Sequence, residues 1–77
     1  MPRDEVLEVL TGIWAGVLAT EVRPETDFFE EGGQSAAVLQ MINLVEERWG
    51  LRLSVREIFE KPTLGEFADV VRSAIAC

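Results

Sequence analysis

Two glycines ahead of a serine leave the backbone bare beside a hydroxyl, and this chain has that arrangement at Gly32, Gly33, Gln34 and Ser35. Glycines reach positive φ at little steric cost and let another molecule approach the main chain closely. Ser35 falls where a helical spacing of apolar residues begins. A serine at the start of a helix holds its hydroxyl beside free N–H groups and the positive end of the helix dipole, surroundings that favour a phosphate. Serine is also among the commonest helix N-caps, so on these residues alone the hydroxyl either closes its own helix or is offered outward. The Gly-x-x-x-x-Gly-Lys pattern of nucleotide-binding loops is absent.

Little else in the chain does chemistry. There is no histidine and no tyrosine, and the one cysteine, Cys77, is the last residue. General acids, bases and nucleophiles are therefore scarce, and neither an internal disulfide nor the usual zinc ligand sets are available. Lys61, the only lysine, adjoins Pro62 and forms no recognisable Ser-Lys arrangement. Glu30 and Glu31 are neighbours in a loop, where paired acids are ordinarily just solvated. No catalytic residue and no metal ligand is assigned, and Ser35 has no evident activating base.

The elements that must hold Ser35 follow from the apolar spacing. Val6, Leu7, Leu10, Ile13, Trp14, Val17 and Leu18 recur at intervals of three and four, one broad face of a helix, with Asp4, Glu5 and Glu8 suited to its positive end. Residues 19–34 carry no period and contain Pro24 and the two glycines, which predicts a long loop, with Phe28 and Phe29 tacking it to the core. From Ser35 the period resumes through Val38, Met41, Ile42, Val45 and Trp49, and Gly50 is placed to end that helix in a left-handed conformation. Ser54 and Glu57 read as a capping box opening a short helix, with Val55, Ile58 and Phe59 inward, that Pro62 stops. Thr63 and Glu66 repeat the pattern before a last amphipathic helix carrying Leu64, Phe67, Ala68, Val71 and Ile75. No alternating strand pattern appears. The expected fold is an all-α bundle of three longer helices and one short one, with a long loop between the first and second.

With 77 residues and 48% apolar composition, residues 1–77 are expected to form a single domain around one thin core. Fourteen acidic residues against seven scattered basic ones give a formal charge of −7, which argues against nucleic acid and for partners with basic surfaces. Pro2, Arg3, Asp4 and Glu5 make no secretory leader, and no apolar run approaches a bilayer span. A soluble, cytoplasmic monomer is expected, with no nucleic-acid or membrane partner. The start at Met1 and the close just after the last helix suit a freestanding protein as well as an excised piece of a larger one.

The residues around Ser35 favour the outward reading. Asp27-Phe28-Phe29-Glu30-Glu31-Gly32-Gly33-Gln34-Ser35 resembles the modification-site signature of peptidyl carrier proteins, the thiolation domains of nonribosomal peptide assembly lines. Ile58-Phe59-Glu60-Lys61-Pro62-Thr63-Leu64 is similar to the segment that joins the short third helix to the last one in that family. The spacing between the segments fits as well, and the resemblance covers nearly the whole chain.

The resemblance implies a four-helix carrier fold with Ser35 as the attachment point of a covalent 4'-phosphopantetheine arm taken from coenzyme A. It implies a phosphopantetheinyl transferase that supplies the missing base, an adenylation or other loading enzyme, and condensation or tailoring enzymes as successive partners. Cargo would be held as a thioester on the arm's thiol. Gln34 departs from the histidine frequent in peptidyl carriers and the aspartate usual in fatty acid and polyketide carriers, and Ala36 stands where leucine is frequent. The alternatives are an acyl carrier protein of polyketide or fatty acid type and, from other classes, a helical protein adaptor or a small enzyme. On the helix after Ser35, Ala36, Gln40, Asn43 and Glu47 face solvent by spacing, and Ala37 and Leu44 are expected to form a shallow partner contact beside the arm.

Overall fold

The computed structural model describes residues 4–76. Four helices follow in order: α1 Glu5–Leu18, α2 Ser35–Trp49, α3 Val55–Glu60 and α4 Leu64–Ala76. Among the described residues there is no strand, only one isolated antiparallel bridge between Asp27 and Thr63. The all-α expectation and the 19–34 loop are both met.

Each helix is bounded by the chemistry of its end residues. The carboxylate of Asp4 accepts the Leu7 N–H at 3.1 Å and caps α1, and it also pairs with Arg72 of α4. α1 ends at Ala19, whose φ of 56° is left-handed although the residue is not glycine. Gly50 ends α2 in the left-handed conformation, φ 66°. Ser54 and Glu57 form a reciprocal capping box on α3. At α4 the Thr63 hydroxyl accepts the Glu66 N–H at 3.3 Å and donates to the Glu66 carboxylate at 2.9 Å.

The helices enclose one core. α1 contributes Leu10 and Trp14, α2 Val38, Met41, Ile42 and Val45, α3 Ile58, and α4 Leu64, Phe67, Ala68 and Val71. The loop adds Val22 and Phe28. Trp14 is at its centre, edge-on to Phe28 at 5.0 Å and tilted against Phe67 at 6.0 Å between centroids. Its indole Nε1 is buried without an acceptor among the described residues.

Two side chains expected inward lie outward. Phe59 is 61% exposed and Ile75 44%. A six-residue helix buries a single stripe, and in α3 that stripe holds Ile58, which turns its successor by about 100° toward solvent. Ile75 lies in the last turn of α4, beyond Val71, the final fully buried position. Trp49 is half-buried, with the Arg48 guanidinium 5.5 Å above its ring.

Candidate functional site

The path into Ser35 is built by short-range hydrogen bonds. Asp27 Oδ1 accepts the N–H groups of Phe29 at 2.8 Å and Glu30 at 3.1 Å, which folds the chain into a turn. Gly32 then takes φ 94°, a conformation that costs a side-chain-bearing residue strain, and its N–H reaches Phe29 O at 3.2 Å. Gly33 donates to Phe28 O at 3.0 Å. Gln34 is extended, φ −114° and ψ 179°, and α2 begins at Ser35.

The two glycines serve different ends. A Cβ on Gly32 would meet open space, so its requirement is conformational. Gly33 is buried, and a Cβ there would overlap the Phe28 ring and come within 2.7 Å of Phe28 O. The bare backbone at Gly33 is thus used inward, by the protein's own phenylalanine, and not to admit another molecule.

Ser35 is not the cap of its helix. The N-cap is Gln34, with no side-chain cap hydrogen bond, and Ser35 is the first helical residue, exposed, its hydroxyl making no hydrogen bond among the described residues. Val38 N–H, bonded to Gln34 O at 2.8 Å, is the first amide of the helix with an acceptor, which leaves the N–H groups of Ser35, Ala36 and Ala37 pointing out of the helix end unpaired. An exposed, uncommitted hydroxyl beside free amides at the positive end of a fifteen-residue helix fits a phosphodiester in both reach and charge.

The loop is fastened to the far part of the chain. Phe28 N–H donates to Pro62 O at 2.9 Å, Leu64 N–H to Thr26 O at 3.0 Å and Gly65 N–H to Pro24 O at 2.8 Å. The first of these bonds, with the Asp27–Thr63 bridge, joins the two segments singled out in the sequence, 27–35 and 58–64, and the other two extend the seam to Pro24 and Gly65. They also explain Gly65, where a Cβ would be 3.2 Å from Pro24 O.

The surface beside Ser35 differs from the one expected. Ala36, Gln40, Asn43 and Glu47 are exposed as the spacing predicts. Ala37, however, is half-buried against the core; Leu44 is 39% exposed, off the core stripe as expected, but sits beside Val9 and Ile13 of α1, nine residues and about 13 Å of helix beyond Ser35. The apolar side chain near the start of α2 is Leu39, 54% exposed, one turn after Ser35. Sequence spacing missed it because it lies beside the buried stripe.

The arrangement is thus a four-helix bundle whose second helix opens on an exposed serine. The profile of the phosphopantetheine attachment site family matches residues 8–71. The chain belongs to that family and is a carrier domain of the nonribosomal peptide synthetase kind. It is 38% identical over 74 residues to surfactin synthase subunit 1 of Bacillus subtilis, covering 95% of this chain and 2% of that protein. Among solved structures it resembles BlmI, a type-II acyl carrier protein of Streptomyces verticillus involved in bleomycin biosynthesis, with TM-score 0.85, 31% identity, and 90% and 84% of the two chains covered. It also resembles the peptidyl carrier protein solved with the phosphopantetheine transferase Sfp and coenzyme A, with TM-score 0.87, 25% identity, and 94% and 95% covered. The McyG adenylation and carrier structure complexed with phenylalanyl-adenylate matches at TM-score 0.83 and 32% identity, over 92% of this chain and 11% of that one. The family's prosthetic group is 4'-phosphopantetheine. No helix among the described residues is long and apolar enough to cross a membrane.

Proposed function

We propose that residues 1–77 act as one cytoplasmic carrier domain in which Ser35 receives the phosphopantetheine arm, and that the domain itself catalyses nothing. The observation that carries this reading is the exposed Ser35 hydroxyl, spent neither on capping nor on any other hydrogen bond among the described residues. Ser35 Oγ attacks the coenzyme A phosphorus nearest the pantetheine, a P–O bond forms as the pyrophosphate P–O bond breaks, and adenosine 3',5'-bisphosphate leaves. The hydroxyl proton goes to a base of the transferase, since the chain holds no histidine. The free N–H groups of Ser35, Ala36 and Ala37 favour the negative charge that then stands on the phosphodiester. When bound, the arm supplies a thiol that holds an aminoacyl, aryl or acyl group as a thioester.

The partners proposed are the phosphopantetheinyl transferase, an adenylation or other loading enzyme, and condensation or tailoring enzymes. The complexes of similar carriers with Sfp and with an adenylation domain support the first two. Intact-mass measurement after incubation with coenzyme A and a broad-specificity transferase tests the reading. One arm, mapped to Ser35 by peptide digestion, is expected; an unchanged mass, or an arm on another residue, refutes it.

A further inference from the structure

Between the core and Ser35 the last buried residue of the chain is Gly33. Its N–H is bonded to Phe28 O at 3.0 Å and its main chain rests on the Phe28 ring so closely that a Cβ would overlap Cδ1 and Cε1. Gln34 follows, exposed and extended, with no side-chain cap bond but with its carbonyl accepting the Val38 N–H at 2.8 Å, so the peptide seated on Phe28 leads directly into the first turn of α2. The ring has no room to retreat. Phe28 is fully buried, set edge-on against Trp14 at 5.0 Å, and Trp14 is backed by Phe67. Its backbone is held as well, through the Phe28 N–H bond to Pro62 O. An added side chain at Gly33 therefore lifts the loop and not the core.

We propose that Gly33, seated on Phe28, is a positioning residue that sets where the start of α2 presents Ser35 to the transferase; this rests on the reading that Ser35 takes the arm. Gly32 has another duty, because its Cβ would be free and only its φ of 94° excludes other residues.

The test is steady-state arm transfer from coenzyme A by a broad-specificity transferase, with the full chain as the varied substrate. Gly33→Ala is expected to keep its helical circular dichroism, to lose roughly tenfold to a hundredfold in kcat, and to change KM by less than about twofold, since the surface that binds the transferase is intact while the hydroxyl is misplaced. Val71→Ala, buried in α4, is the control for lost stability: it lowers Tm but leaves kcat unchanged. Wild-type kcat in a folded Gly33→Ala chain, or a loss no larger than that of Val71→Ala at equal Tm, overturns the proposal. Should Gly33→Ala not fold, Phe28→Leu is read against Val71→Ala in the same way, because it keeps the core apolar while withdrawing the ring from beneath Gly33. An unmodified wild-type chain would instead refute the Ser35 reading itself.

Discussion

Phe59 of α3 lies face to face with Phe29 of the loop, ring centroids 5.0 Å apart and planes 5° from parallel. Phe29 stands edge-on to Phe28, which in turn meets Trp14, so an unbroken run of rings leads from a solvent-exposed helix to the centre of the core. The exposed face of Phe59 contributes little to folding. Phe59→Ala is expected to cost about 1 kcal/mol, the scale of one aromatic pair, whereas the neighbouring Ile58→Ala costs roughly 2 to 5 kcal/mol by opening the core. Urea denaturation of the two variants checks the ranking, and equal costs would contradict the outward placement of Phe59.

Ser35→Ala is expected to abolish arm attachment and leave stability within about 0.5 kcal/mol of wild type, because the lost hydroxyl makes no hydrogen bond. A serine that capped its helix would cost more on removal, typically about 1 kcal/mol. Thermal melting together with intact mass after transferase treatment separates the two effects.

Ala19 holds a left-handed conformation natural to glycine, and Gly12 is in the interior of α1 with open space where a Cβ would be. Ala19→Gly is expected to stabilise the domain by about 0.5 to 1 kcal/mol through relief of that strain, and Gly12→Ala by about 1 kcal/mol through helix propensity. Both are read as a rise in denaturation midpoint. Destabilisation by Ala19→Gly would show that the terminus of α1 relaxes in solution.

The side-chain hydrogen bond from Arg72, and then the Leu7 N–H, hold the Asp4 carboxyl below the usual aspartate range. A carboxyl lowered by folding stabilises the folded state above its unfolded value, and that contribution fades as pH falls through the folded value. Asp4→Asn keeps a capping side chain but not the charge. Wild type should exceed Asp4→Asn in stability at neutral pH, and the gap should close below about pH 4, where even the free carboxyl takes up a proton. A gap that persists at pH 2 would mean that charge is not its source.

Leu39→Asp is expected to slow loading by a cognate adenylation enzyme with little change in helicity, since Leu39 is the exposed apolar side chain one turn beyond Ser35. Leu44→Asp, against α1 and farther along α2, is expected to slow it less. Equal rates for wild type and Leu39→Asp would remove this surface from recognition.

Regular spacing carried most of the fold into view. The buried stripes of α1 and α2, the Gly50 terminus and the Ser54–Glu57 box all depend on neighbours within four residues, and all are found as read. Phe59 was misplaced because in a helix of six residues the period is too short to fix a face. Ser35 and its motif were legible, but the employment of each part was not: that Gln34 occupies the cap position, and that Gly33 is bare for the sake of Phe28, depend on packing between segments. The bonds from Pro24, Thr26 and Phe28 to the α3–α4 junction leave no periodic trace at all, since they join backbone groups that every residue possesses.

Those same bonds impose an order of events on folding. They join the loop before Ser35 to Pro62, Leu64 and Gly65, far along the chain, and contacts of that separation form only after the entropy of closing the intervening segment has been met. The turns at Asp27, Gly32 and Gly33 close through near neighbours, but the loop that carries them is anchored only once the first turn of α4 has arrived. During synthesis, a ribosome that had not yet released residue 65 would display the serine on a helix without its anchored approach, so competence for modification should appear late and abruptly as the chain lengthens.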